Sequence, residues 1–230
     1  MLMWFLCLLF VLILFGLLAY WLLVVTEGVF LGRRVVVWLY DLTAHKYDDI
    51  KQFGTETEQF FVVRPLLQSL TNQPAPRILD VATGTGRLPY HVLNDPLFHG
   101  RVYGLDASEK MLDWAAEKIR PFGDRAPLIQ GVADKLPFPA DYFQAVTSLE
   151  ALEFFPDDVA ALHEMVRVLQ PGGVLLVTRR RGWEAKAFVG RYRDPQTFEA
   201  LLQNLGLVAI DTRLWQVEYD LIFAQKPKSI

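Results

Sequence analysis

The sequence predicts an α/β domain built on a mostly parallel sheet and preceded by one transmembrane helix. Three observations predict this fold class. The first is an apolar run over Leu2–Val25 that contains no charged residue. The second is the alternation of short apolar strands with helical patterns after residue 76, which is typical of a parallel sheet covered on both faces. The third is a pair of strands, 207–215 and 217–224, so close together that they predict an antiparallel hairpin.

Length and composition restrict the function classes. A chain of 230 residues holds one ordinary α/β domain plus an appendage. Its net charge of −3 provides no basic excess, so we expect no nucleic-acid partner. The single cysteine, Cys7, excludes an intrachain disulfide and is consistent with a reducing compartment. With four scattered histidines, no metal site is predicted.

The apolar run at 2–25 is longer than the ~20 residues that a helix needs to cross a bilayer. A cleavable signal peptide is the alternative, but no basic segment precedes the run and no small-x-small site follows it. Trp4 and Tyr20 lie near its ends, as interfacial aromatic residues do. Basic residues follow it: Arg33, Arg34 and Lys46. The positive-inside rule then predicts a single-pass membrane protein whose folded domain is cytoplasmic, with the lipid bilayer as a partner.

The chain divides into three segments. Residues 1–27 are the predicted transmembrane anchor, 28–76 a juxtamembrane segment with an N-terminal helical cap, and 77–230 the α/β domain. Two interpretations stay open for 29–42, namely a helix at the headgroup boundary and a helix packed on the domain. Further along, Thr55 and Glu58 predict a capping box, and Pro65 predicts a kink or break in the helix that follows.

The α/β domain shows its elements in a regular order. The first five predicted strands are 77–82, 101–105, 127–130, 143–148 and 174–178. The helices between them carry apolar stripes: Leu112, Ala115 and Ile119 in one, and Val159, Leu162, Val166 and Leu169 in another. Ser108 and Asp157 are predicted N-caps of these two helices.

A buried strand at 78–82 leads into a glycine turn and then a helix. Ligands bind at the carboxyl end of such a strand in an open parallel sheet, and Gly84 and Gly86 allow close approach of the backbone. The alternative is a tight turn without a ligand. The second strand ends in Asp106, where a carboxylate can accept both hydroxyls of a ribose. After the third strand, Asp134 is either an acceptor for an adenine amino group or a turn residue.

Together these segments resemble the class I S-adenosylmethionine-dependent methyltransferases, within the group that contains the ubiquinone and menaquinone biosynthesis C-methyltransferases. The resemblance is carried in the family's order and spacing by 79–86, 104–108, 133–138 and 167–173, and it extends over about residues 40–226. It implies a Rossmann-like fold with a seven-stranded sheet in 77–230, S-adenosylmethionine as the cofactor, and a methyl acceptor. With the predicted anchor, it favours a lipid-like or quinone-type acceptor.

The resemblance also implies roles for individual residues. Asp80 would orient the loop and the methionine amino group, Asp106 the ribose, and Asp134 the adenine. The implied cofactor site further includes these residues: Ala82, Thr83, Gly84, Thr85, Gly86, Ala107, Met111 and Ala133. Within 40–48, which resembles the family's entry motif, Tyr47 would lie near the sulfonium and is a candidate catalytic residue.

The sequence departs from the family after the fourth strand. Where relatives often carry histidines, this chain has Glu150 and Glu153, either of which could accept a proton or contact a cationic headgroup. Glu153 is the second catalytic candidate; the alternative is an exposed residue at a helix start. Methyl transfer is an in-line displacement that needs mainly positioning and exclusion of water, so no catalytic triad is expected.

Two other function classes share parts of this pattern. An NAD(P)-dependent oxidoreductase is disfavoured because the turn that ends at Gly86 lacks the third glycine of the dinucleotide fingerprint. A membrane-tethered binding or assembly factor that kept the fold without turnover stays open.

The segment 178–193 follows the fifth strand and is rich in arginine. Its basic residues are interleaved with Trp183, Phe188 and Tyr192, which predicts a lipid-facing mouth of the acceptor pocket. The alternative is a solvated basic loop that balances acidic neighbours.

Overall fold

The computed structural model describes residues 1–48 and 54–228. Seven strands form one sheet: β1 Arg77–Val81, β2 Arg101–Asp106, β3 Leu128–Gln130, β4 Phe143–Ser148, β5 Leu169–Arg180, β6 Val208–Leu214 and β7 Tyr219–Gln225. Their order is β3-β2-β1-β4-β5-β7-β6. The first five are parallel, and β7 runs antiparallel to both β5 and β6, which confirms the predicted sheet and its C-terminal hairpin.

The order of the strands reverses between β1 and β4. Connections leave β1 and β4 toward opposite sides of the sheet, which opens a crevice outside their carboxyl ends. The glycine turn, Asp106 and Glu150 all follow strands at this edge, so the topology alone brings them together.

Nine α-helices begin and end within the described residues: α1 Leu2–Tyr20, α2 Arg33–Thr43, α3 Thr55–Glu58, α4 Arg64–Ser69, α5 Arg87–Leu93, α6 Glu109–Ile119, α7 Asp158–Val168, α8 Gly182–Ala185 and α9 Pro195–Asn204. Because neighbouring residues of a strand point to opposite faces, β1 supplies both cores. Ile78 packs in the cluster on one face, and Leu79 and Val81 pack in the cluster on the other.

The two predicted N-caps are confirmed. The Ser108 hydroxyl accepts a hydrogen bond from the Met111 amide at the start of α6, and Asp157 accepts one from the Ala160 amide at the start of α7.

The predicted apolar stripe of α7 was only partly right. Leu162 is buried, but Val159 is exposed and the remaining buried positions are Ala161, Met165 and Val168. β5 is longer than predicted because it pairs with β4 on one side and with β7 on the other.

The helical cap differs from expectation at its start. Gly54 precedes α3 as the N-cap without a side-chain hydrogen bond, so the predicted capping box is wrong. Glu58 is instead buried, 3.6 Å from the Arg87 guanidinium. The predicted break near Pro65 is confirmed: a π-helical turn over Gln59–Val63 separates α3 from α4, and Pro65 lies in the first turn of α4, where its missing amide costs no hydrogen bond.

The apolar helix stands apart from the domain. α1 continues through a π-helical turn to Val25, giving 24 residues that are long and apolar enough to cross a bilayer and that bury nothing inside the protein. Of the two interpretations of 29–42, the structure shows α2 packed on the domain with Val36 buried.

Candidate active site

A cleft opens at the carboxyl edge of the sheet, between the loops that follow β1, β2, β3 and β4 and the helix α2 above them. Its open space is about 850 Å³, including the part that faces solvent. Eight of the thirteen predicted cofactor-binding and catalytic residues line it: Tyr47, Ala82, Gly84, Asp106, Ala107, Met111, Ala133 and Asp134. The topology therefore gathers most of the predicted site in one place.

An adjoining hollow holds three more predicted residues. Asp80, Thr83 and Thr85 line it beside the glycine turn. The Asp80 carboxylate accepts hydrogen bonds of 2.7 Å from the hydroxyls of Thr83 and Thr147. Burial raises the pKa of Asp80 to about 6, and the two hydroxyl donors oppose that rise.

The two glycines of the turn have different tasks. Gly84 has φ +54°, and a Cβ there would lie 4.0 Å from the Tyr47 ring, so glycine leaves this end of the cleft open. Gly86 has φ +77° and precedes α5; a Cβ there would come within 3.1 Å of the Ala115 Cβ. Gly86 thus allows α6 to approach the turn and, unlike Gly84, is not part of the cleft wall.

Asp106 is held by the backbone on both carboxylate oxygens. Oδ2 accepts from the Gly84 amide at 2.8 Å and Oδ1 from the Ser108 amide at 2.9 Å. Burial raises the pKa of this carboxyl, whereas the amide donors lower it. Each oxygen keeps a further lone pair, so the group can still accept hydrogen bonds from a ligand in the cleft.

Only part of the roof of the cleft was foreseen, namely the entry motif at 40–48, whose aromatic residues the resemblance places over the cofactor. The inner face of α2 closes it through Arg33, Val36, Val37 and Tyr40, which follow the i, i+3, i+4, i+7 spacing that could have indicated a packed face. An ion pair of 2.5 Å between Arg33 and Asp134 and a hydrogen bond from the Ser108 hydroxyl to Asp41 join the roof to the floor.

Aromatic rings and one carboxylate form the end of the cleft away from Asp134. The Tyr40 ring lies 6.0 Å from Tyr47 and 5.7 Å from Phe154. Beside them Glu150 lines the cleft with a buried side chain, 2.9 Å from the Arg87 guanidinium. Burial, together with the negative charge of Glu150, raises the pKa of Tyr47, so this hydroxyl stays protonated.

Two non-glycine residues in this cleft adopt a left-handed backbone conformation. They are Ala82 at φ +58°, after β1, and Glu150 at φ +54°, after β4. Such strain of order 1–3 kcal/mol per residue persists where the surrounding structure enforces it, and it is common at functional sites. The turn at Glu150 is what brings its side chain to the cleft.

Glu153 lies elsewhere. Its buried carboxylate accepts a hydrogen bond of 2.5 Å from the Tyr219 hydroxyl and lies 3.4 Å from Arg180, and it does not line the cleft. Burial raises its pKa. The alternative interpretation, an exposed residue at a helix start, is wrong because the side chain is 6% exposed.

The arginine-rich segment is paired within the protein. Arg179 pairs with Asp220, Arg193 with Asp158, and Arg191 donates to the Phe155 carbonyl. Arg180 lies among Glu153, Glu184 and Glu218. The expectation that these guanidinium groups face a membrane is wrong for them, because they pair with acidic residues and backbone carbonyls of the protein, and the Arg179 and Arg180 side chains are only 8% and 14% exposed.

Comparisons with known proteins agree with this geometry. A family described as "Methyltransferase domain" matches residues 79–177. The ubiquinone/menaquinone biosynthesis C-methyltransferase UbiE of Nitrosospira multiformis is 30% identical over 179 residues, which cover 77% of this chain and 72% of that protein. The chain belongs to the class I S-adenosylmethionine-dependent methyltransferases of the ubiquinone/menaquinone type. UbiE of Shewanella woodyi is 34% identical over 151 residues, or 62% of this chain and 58% of that protein.

Solved structures show the same fold. A SAM-dependent methyltransferase from Aquifex aeolicus aligns with a TM-score of 0.61 at 19% identity, over 81% of this chain and 98% of that one. Phosphoethanolamine N-methyltransferase 2 of Haemonchus contortus, in complex with S-adenosyl-L-methionine, aligns with a TM-score of 0.59 at 17% identity, over 72% of this chain and 53% of that one. The family match and the 30% identical UbiE relative, rather than these structures, make the protein a methyltransferase with S-adenosylmethionine as its cofactor.

Proposed function

We propose that this methyltransferase acts at a membrane, on a lipid-like acceptor with a quinone-type ring, and that it is held there by one transmembrane helix with its domain in the cytoplasm. One observation carries the proposal: α2, which roofs the cleft, begins only eight residues after the end of the apolar helix at Val25. An enzyme fixed in this way has its cleft within reach of acceptors that do not leave the bilayer.

The cofactor fits the cleft as the resemblance implied. Asp106, oriented by two amides, would accept the ribose hydroxyls, while Asp134 and Met111 would bind the adenine. Asp80 would face the methionine amino group from the adjoining hollow. Bound in this way, S-adenosylmethionine would supply an electrophilic methyl group, and Tyr47 and Gly84 would line that end of its site.

The aromatic end of the cleft then receives the acceptor. Tyr40, Tyr47 and Phe154 form walls that suit a planar ring, and they would shield a methyl group bound there from water. A hydroxylated ring must lose a proton when its oxygen or an activated ring carbon takes the methyl group. Glu150 lines this end and is the carboxylate placed to accept that proton, while Arg87 holds it in position.

The names of the relatives support the same acceptor class. UbiE proteins are described as ubiquinone/menaquinone biosynthesis C-methyltransferases, and quinones of that kind carry long apolar tails. The 24-residue apolar helix of this chain suits a substrate confined to the bilayer.

Partition of a transferred label tests the proposal. The full chain in its membrane is incubated with S-adenosylmethionine that carries a radioactive methyl group, and lipids, proteins and water-soluble products are then separated. Label in the lipid fraction is expected. Label confined to protein would contradict the acceptor class, and intact cofactor without transferred label would favour a binding factor without turnover.

A further inference from the structure

Helix α2 has two faces with different surroundings. Its inner face, with Val36 and Tyr40, closes the cleft. Its outer face carries Arg34, Trp38 and Leu42 at a spacing of four residues, and the Trp38 and Leu42 side chains are about half exposed, at 55% and 49%. A helix with an inner packed face ordinarily turns polar side chains outward, so an outer tryptophan and leucine need another explanation.

The exposed apolar surface continues beyond the helix. Phe30 and Leu31, in the turn just before α2, are 37% and 45% exposed. We infer that Phe30, Leu31, Arg34, Trp38 and Leu42, here called the roof surface, rest on the headgroup boundary of an anionic bilayer leaflet. The inference rests on the proposed membrane location and adds that the cleft lies directly beneath lipid, so that an acceptor enters beside the roof helix without crossing water.

The joint between α1 and α2 supports a bilayer as the occupant. The Trp21 and Phe30 rings stack with centroids 4.9 Å apart, and the Gly28 amide donates to the Leu22 carbonyl at 2.8 Å. Thr26 is buried, and its hydroxyl donates to the Trp21 carbonyl at 3.0 Å. A folded joint of residues 26–32 thus fixes the roof surface close to the end of the apolar helix.

Charge supports an anionic leaflet. Arg34 is exposed on the outer face, and Lys46 is exposed just after α2. The acidic residue of the helix, Asp41, is held by the Ser108 hydroxyl on the inner side. Aromatic and basic residues on one exposed helix face are typical of helices that lie in a membrane interface.

Depth-sensitive labelling of the full chain tests this contact. In a Cys7→Ser background, an environment-sensitive fluorophore is attached to Leu42→Cys or to Leu97→Cys, and the protein is placed in nanodiscs of phosphatidylcholine and phosphatidylglycerol with nitroxide headgroup lipids. Leu97 is the matched control, an 84% exposed leucine that precedes β2 at the opposite edge of the sheet. Quenching at position 42 should exceed quenching at position 97 several-fold.

Equal quenching at the two positions would overturn the inference. So would a label at position 42 that is shielded from lipid nitroxide and instead reports a neighbouring label, because a second copy of the chain would then cover the roof surface. Because the quenching measurement needs no turnover, it tests the membrane contact independently of the proposed reaction.

A kinetic comparison follows where a lipid acceptor has been found. Leu42→Glu should raise KM for that acceptor several-fold with an unchanged cofactor Kd, whereas Leu97→Glu should change neither. An unchanged KM for Leu42→Glu would contradict entry beside the roof helix.

Discussion

Arg33 and Asp134 form an ion pair of 2.5 Å that joins the roof helix to the loop after β3, across 101 residues of sequence. Asp134 is also the residue proposed to bind adenine, so the roof helix and the cofactor would meet at one carboxylate. We expect Arg33→Ala to speed cofactor dissociation several-fold, because the roof loses a link to the floor. Stopped-flow measurement of release should show this, with Arg34→Ala, an exposed neighbour, as the control. Equal dissociation rates for the two variants would show that the Arg33–Asp134 ion pair does not slow release of the cofactor.

Asp106→Ala should weaken S-adenosylmethionine binding by about 2–4 kcal/mol, since it removes charge-assisted hydrogen bonds to two hydroxyls. Asp113→Ala removes an exposed carboxylate from the neighbouring helix α6 and should leave the affinity unchanged. Calorimetric titration of both variants checks the assignment, which fails if they bind equally well.

Cofactor affinity should depend on pH through Asp80. Burial raises the pKa of Asp80 to about 6, above the usual 3.8. Without cofactor, the protonated carboxyl is therefore favoured below pH 6. The protein then loses stability as the pH rises through 6, where Asp80 becomes ionised. A methionine ammonium group binds the ionised form. Kd should therefore rise as the pH falls below 6, by up to roughly tenfold per pH unit for one linked proton. Calorimetry between pH 5 and 8 measures this, and Asp80→Asn should flatten the profile; a flat wild-type profile would exclude the linkage.

Glu150→Gln should lower kcat by about 10²-fold with an unchanged cofactor Kd, because general-base contributions are of that order. Glu153→Gln is the matched control, a glutamate that is equally buried but lies outside the cleft. Steady-state kinetics on the lipid acceptor compares them. If both variants lose kcat equally, Glu150 has no special part in proton removal.

Arg179→Gln should destabilise the protein by about 1–3 kcal/mol, because it removes the nearer cation from the buried carboxylate of Asp220 and leaves only Arg181, at 3.6 Å. Arg213→Gln breaks a pair with Asp211 in which both side chains are about half exposed, and should cost no more than about 1 kcal/mol. Urea unfolding of the solubilised full chain measures both. A similar, small loss of unfolding free energy in the two variants would show that the Arg179–Asp220 pair does not stabilise the fold.

Strands and loop motifs could be read from the sequence because their signals are local. The apolar run before Gly84 and the acid that ends β2 each depend on a few neighbouring residues. The roof contact of Arg33 with Asp134 could not be read in this way, since it depends on how distant segments pack.

The backbone conformation determines which of the two glutamates after β4 reaches the cleft. Glu150 and Glu153 follow the same strand, and the left-handed backbone at Glu150 turns only that carboxylate to the cleft. The prediction for the arginine-rich segment was wrong for a related reason. Arg179 lies on β5, and its partner Asp220 lies on β7 and comes opposite it only through the antiparallel register.

Methyl transfer from pre-bound cofactor is the most direct test that this cleft joins S-adenosylmethionine to a bilayer acceptor. The full chain, in nanodiscs made from the lipids of its own membrane, is loaded with stoichiometric methyl-labelled cofactor and quenched at successive times. We predict that label moves into a lipid, approaching one methyl group per enzyme, and that Asp106→Ala abolishes this under the same conditions. Label that stays in bound, intact cofactor while every lipid remains unlabelled would contradict the account.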